Sequence, residues 1–86
     1  MDEFQQKIEA INLPITLSEG CFIKVGSRRI PDFEVIMKQL PGIYAYVDVN
    51  ATAPGGGPEN YLIPLTNGHY LQITLRDDKL VALSIT

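Results

Sequence analysis

The chain contains no tryptophan, one cysteine and one histidine, and each scarcity removes a class of function. A lone Cys21 cannot close an internal disulfide, so the fold does not rest on oxidation and a reducing cytoplasm is the expected setting. One His and one Cys fall short of the roughly four nitrogen or sulfur ligands of a zinc site, and neither a metal nor another cofactor is expected. Basic charge is short as well: seven Lys and Arg face ten Asp and Glu, for a net charge of −3. Without a phosphate-neutralising surplus, the balance argues against a general nucleic-acid binder. No run approaches the ~18 apolar residues of a membrane span. The opening Met1-Asp2-Glu3-Phe4-Gln5 has neither the basic region nor the apolar stretch of a signal peptide, so no membrane partner is expected.

What is present is a chain of 86 residues, 45% of them hydrophobic. That suffices for one small core, with stability near the low end of the ordinary range and oligomerisation as a natural supplement. Its last third holds strand-like runs at 61–66, 69–76 and 80–86. Alternation sets Leu71, Ile73 and Leu75 on one face of the middle run, and Val81, Leu83 and Ile85 on one face of the last. For these sets to meet, Leu75 must lie opposite Val81, which predicts an odd-length connection at Asp77-Asp78-Lys79. The same parity at Asn67-Gly68 predicts a longer loop, Thr66-Asn67-Gly68 with Gly68 left-handed, bringing Tyr61, Ile63 and Leu65 beside Leu71 and Ile73. Pro64 has no N–H to give, so the side of its strand away from 69–76 is expected to be an edge or a bulge.

Upstream, 2–12 reads as an amphipathic helix with Phe4, Ile8 and Ile11 on one face and a capping box from Asp2 to Gln5. Pro14 ends it. A hairpin is expected between 15–17 and 21–25 through Ser18-Glu19-Gly20, with Ile15, Leu17, Cys21, Ile23 and Val25 on one side and Cys21 a buried structural thiol. Pro31 suits the first turn of a second helix carrying Phe33, Ile36, Met37 and Leu40, which Pro41-Gly42 stops. Residues 43–50 read as a strand with Ile43, Ala45, Val47 and Val49 on one face and Tyr44, Tyr46, Asp48 and Asn50 on the other. A mobile Gly-rich loop, 50–60, follows inside the same domain. The expected class is α+β, a single domain of order α-β-β-α-β-β-β-β with two helices packed mainly on one face of an antiparallel sheet.

No motif nominates a catalytic set, and the chain is expected not to be an enzyme. His69, beside a turn, is read as structural or semi-exposed, and Asp77-Asp78 as solvated turn chemistry. Gly55-Gly56-Gly57 lacks the following Gly-Lys-Ser/Thr of a phosphate loop. The more informative feature is the sheet face opposite the core, where Tyr44, Tyr46, Asp48, Leu62, Tyr70, Gln72 and Leu80 are expected to project. Tyrosines give large contact area at little entropic cost, although amphipathic residues also decorate the wet side of an antiparallel sheet. The expected function is that of a small soluble interaction protein of inhibitor, immunity, accessory or chaperone type. It would bind a protein partner, or itself as a homodimer, through this face or a sheet edge. The alternative is a module for a small anionic ligand or RNA backbone, using Lys24, Ser27, Arg28 and Arg29 before the second helix together with the loop 50–60.

The succession of a helix ending Leu40-Pro41-Gly42, then Tyr44-Ala45-Tyr46, a loop and a terminal hairpin through Asp77-Asp78-Lys79-Leu80-Val81 resembles the outline of small outer-membrane assembly lipoprotein and β-lactamase-inhibitor domains. The resemblance begins at the second helix. The chain departs from it in an extra hairpin and in the absence of a secretion signal and lipidated cysteine. It implies a fold outline, and no function is carried across.

Overall fold

Spacing on the first helix, α1 (Asp2–Glu9), sets Phe4 and Ile8 one turn apart, and both are buried. The computed structural model describes residues 2–51, 55–56 and 59–86. The helix is shorter than expected and unwinds after Glu9, with Ile11 N–H turning back to Ile8 O at 3.1 Å. Gln5 Nε2 donates to Glu9 Oε1 at 3.2 Å, while the side chain of Asp2, the expected cap, lies outside the described residues.

The hairpin expected through Ser18-Glu19-Gly20 does not form. Instead β1 (Ile15–Thr16) pairs with the far end of the chain, Ile15 opposite Leu80 and Thr16 opposite Lys79, and a 3-10 turn at Glu19–Cys21 carries Cys21 into the core. The next strand, β2 (Phe22–Val25), pairs with β3 (Arg28–Pro31) as a separate two-stranded ribbon. Gly26, at φ +65, is the first central residue of its two-residue turn, the position that requires glycine in a type II′ hairpin. Pro31 therefore ends a strand rather than opening a helix. Asp32 caps α2 (Phe33–Lys38), its Oδ1 accepting from Val35 N–H at 3.3 Å, and Ile36, Met37 and Leu40 are buried as expected.

Residues 43–50 depart most from expectation. Tyr44–Tyr46 is a 3-10 turn, and only Val47 makes a bridge, to Leu65. Ile43 is fully buried while Ala45 is exposed, an arrangement that strand alternation does not distinguish from a tight helical turn over so few residues.

The remaining strands are β4 (Gly55–Gly56), β5 (Asn60–Pro64), β6 (Tyr70–Arg76) and β7 (Lys79–Ile85), and the antiparallel main sheet has the order β1-β7-β6-β5-β4. The β5–β6 register is the expected one, with Tyr61 opposite Ile73 and Ile63 opposite Leu71. Leu65 N–H donates to His69 O at 2.9 Å, and Gly68 is left-handed at φ +86. Pro64 lies just beyond the end of the β4 ladder, and its carbonyl accepts from Asp48 N–H at 2.9 Å. Its missing donor is thus not needed on that side.

At β6–β7 the expected core pairs Leu71–Ile85 and Ile73–Leu83 are present, but the connection is a two-residue turn. Asp77 and Asp78 both have positive φ, +51 and +62, as a type I′ turn requires. Leu75 then faces Leu80 rather than Val81, and a bulge at Val81 restores the parity before Thr74 meets Ala82. One extra residue lets Leu75, Leu80, Ile73 and Leu83 all face the core.

The described residues form an α+β architecture of two α-helices and antiparallel strands in roughly the expected order. Side chains of both helices join one core cluster with Ile63, Leu65, Leu71, Ile73, Leu75 and Leu80. Among the described residues neither helix contributes to the other face of β5–β7.

Candidate interaction surface

Alternation along β5, β6 and β7 places Leu62 and Pro64, then Tyr70, Gln72 and Thr74, then Ala82 and Ser84 on the face opposite the core. None of these seven is fully buried, and Tyr70 is 46% exposed. Thr74 Oγ1 donates to Asn60 Oδ1 at 2.8 Å across the strands. None carries charge. Arg76 and Lys79, opposite each other at the turn end, are the charged pair of the same face, and Arg76 reaches Glu59 at 3.8 Å.

Of the side chains expected on this face, Leu62, Tyr70 and Gln72 are there. Leu80 is not: it is 0% exposed, because the bulge at Val81 shifts it to the core side. Tyr46 packs its ring on Phe4 with centroids 4.6 Å apart, so its body belongs to the α1 contact. Tyr44 is half-buried beside α2, with Lys38 Nζ 5.3 Å from its ring centre and its hydroxyl 3.5 Å from Glu34 Oε1. Asp48 is half-buried, its Oδ1 accepting from Asn50 N–H at 3.1 Å. These three leave the face because 43–50 is not a strand.

Tyr44 and Asp48 instead line a groove of about 180 Å³ with Phe33, Met37, Val47 and Pro64. Its volume lies below the ~300–1,000 Å³ of small-molecule sites, and it suits one inserted side chain. Glu34 also lines it, and its carboxyl is held below its ordinary range by the hydrogen bond from Lys38 and then by the charge of that ammonium. The groove was not legible in the sequence, since Phe33, Val47 and Pro64 come from three separate segments. Val49, expected on one strand face with Ile43, also lines it and is 63% exposed, because 43–50 is not a strand.

Lys24, Ser27, Arg28 and Arg29 are all exposed on the β2–β3 ribbon. They do not gather at a helix N-terminus, because α2 begins after Asp32, whose own carboxylate occupies that end. Arg29 stacks 4.0 Å over the Phe22 ring and meets Asp78 Oδ2 at 2.6 Å. That hydrogen bond is the main cause raising its pKa. Ile23 and Val25, expected to face inward, are 48% and 56% exposed. Gly55 and Gly56 form β4, whereas 52–54 and 57–58 of the Gly-rich loop lie outside the described residues.

Cys21 is fully buried, and its sulfur accepts from Gln39 Nε2 at 3.1 Å. His69 is exposed, its Nδ1 3.2 Å from Thr86 O. Among the described residues no group of three or more His, Cys, Asp or Glu side chains is placed to hold a metal ion. Nor, among the described residues, is any helix long and apolar enough to cross a membrane.

No known family model matches the chain, and neither a curated protein nor a solved structure does.

Proposed function

We propose that this protein is a small non-catalytic interaction module, binding a protein partner or a second copy of itself through the outer face of β5–β7. The observation that carries this reading is the lack of charge on that face away from its turn end, where Arg76 and Lys79 stand, in a chain of which 20% is charged. A sheet face that meets only water commonly carries Lys and Glu, whereas the centre of a protein interface is depleted of them and enriched in tyrosine. Tyr70 supplies the large amphipathic anchor, Leu62 and Pro64 an apolar flank, and Gln72 and Thr74 directional hydrogen bonds. Pro64 also lines the groove that holds Tyr44 and Asp48. A buried lone thiol suits a reducing compartment such as the cytoplasm.

The test compares wild type with Gln72→Lys and Tyr70→Ala. Light scattering reads the mass, and affinity capture reads the partner. The expected result is loss of the captured protein or of the dimer in both variants, with circular dichroism unchanged, while Glu9→Lys on α1 keeps it. Capture and mass unaffected in both face variants would remove the face from consideration. The anionic-ligand alternative retains Lys24, Ser27 and Arg28, but Arg29 already has its carboxylate in Asp78.

A further inference from the structure

The β2–β3 ribbon is a second surface, independent of the sheet face. In a hairpin closed by a two-residue turn the flanking pair is hydrogen-bonded and bonding alternates from there. Val25–Arg28 and Ile23–Ile30 therefore point their backbone groups inward, and Lys24 and Arg29 point theirs outward. On the β3 edge the next outward residue is Pro31, which has no N–H. The β2 edge is better furnished: Lys24 offers both N–H and C=O, Phe22 its C=O and Gly26 its N–H, while Phe22 N–H is spent on Glu19 O. No backbone bond joins Lys24 to another strand among the described residues.

Side chains along this edge are sorted by face. Ile23, Val25 and Arg28 share one side, with both aliphatics about half exposed, and Lys24 stands on the other. Neither Lys24 nor Arg28 has an ion-pair partner among the described residues. An exposed edge of aliphatic character is a template for another strand. A second copy is the poorer occupant: paired about Lys24 it sets Lys24 against Lys24, and like charges directly opposite destabilise a ladder, while in the shifted registers residues 22–26 offer Lys24 no carboxylate. Nucleic acid would leave Ile23 and Val25 unused, and a chain of net charge −3 has no phosphate-neutralising surplus.

We infer that the β2 edge accepts an extended segment of a partner protein that alternates aliphatic and acidic residues. Its aliphatic side chains lie beside Ile23 and Val25 on one face, and its carboxylates meet Lys24 on the other. The strand pairs with Lys24 N–H and C=O and with Phe22 C=O and Gly26 N–H.

The experiment titrates the full-length protein, observed by amide NMR, with end-blocked hexapeptides alternating Val with Glu or Val with Lys, and with a short single-stranded RNA. The expected result is saturable shifts confined to the ribbon with the Val/Glu peptide, slowed exchange of the Lys24 amide, and at least about tenfold weaker binding of the Val/Lys peptide. Lys24→Gln should weaken binding several-fold by removing a charge, and Lys24→Pro more by removing the outward N–H. Because proline can distort the ribbon, the glutamine variant stands as the independent check. Equal binding of both peptides, no binding of Val/Glu at millimolar concentration, or ribbon shifts with RNA alone would each overturn the assignment.

Discussion

Leu80 is the residue at which the bulge can be tested energetically. In a simple odd-length register it lies on the outer face, and its truncation would remove only exposed surface. With Val81 looped out it is 0% exposed, opposite Leu75 and packed in the core cluster. Leu→Ala at a fully buried site costs about 2–5 kcal/mol from lost transfer energy and the residual cavity. A value of about 3 kcal/mol is a large part of the stability of a chain this short, and it lowers the melting temperature by roughly 12–24 °C at the ~4–8 °C per kcal/mol of small domains. Urea unfolding followed by circular dichroism gives the midpoint, and calorimetry gives the melting temperature. Leu62→Ala, at a half-buried position on the outer face, is the internal control and should cost clearly less. A loss at Leu80 below about 0.5 kcal/mol, the usual range of surface substitutions, or equal to that at Leu62, would refute the bulged register.

Gly68→Ala should cost about 1–2 kcal/mol from conformation alone, since φ is +86 and nothing lies within 4 Å of the added carbon. Gly20→Ala, without positive φ, should be nearly neutral, and equal urea midpoints for the two would count against the three-residue loop. The Glu34–Lys38 pair sets a pH dependence. Glu34 is held below its ordinary 4.5 by its hydrogen bond to Lys38, so its contribution is present above 4.5 and fades as pH falls through the folded value. Lys38, raised above 10.5 chiefly by the same bond, contributes until pH climbs through its folded value. The pair is exposed, so its effect is small and screened by salt. The stability difference between wild type and Glu34→Gln should vanish at about pH 2, and a difference that persists there must have another origin.

What the chain discloses without a structure depends on whether its constraints are local. The β5–β6 hairpin is legible because two apolar faces and one short loop leave a single consistent parity. At β6–β7 the parity argument is right about Leu71–Ile85 and Ile73–Leu83, yet a connection of odd length and a two-residue turn with a bulge satisfy it equally. The ends of the chain are harder. Ile15 finds its partner at Leu80, a pairing that no local pattern reveals, and this releases 22–25 to pair with 28–31 through Gly26. For 43–50, alternation of Tyr44 and Tyr46 with smaller residues mimics a strand, but Phe4 and α2 claim those rings individually. The expected surface is accordingly half right. Leu62, Tyr70 and Gln72 rest on the well-determined hairpin and keep their places, whereas Tyr44, Tyr46, Asp48 and Leu80 depended on the segments that fold otherwise.

Helices of eight and six residues join the core on one face of the sheet, and among the described residues Tyr70, Ala82 and Ser84 on the opposite face are exposed. Charge was available for it. The chain places Glu3, Lys7 and Glu9 on α1, Glu34 and Lys38 on α2, and Arg76, Asp77, Asp78 and Lys79 around one turn. Only Asn60, Gln72, Thr74 and Ser84 provide polarity between Leu62 and Ala82 on the outer face. If that face served only to stay hydrated, Gln72→Lys would leave every property intact, since a lysine there desolvates nothing and adds repulsion from few neighbours. If the face is an interface, the same lysine is stranded in a desolvated contact without a carboxylate opposite, while the isolated fold remains as stable as before. Association lost at unchanged folding stability is therefore the outcome that separates the two readings.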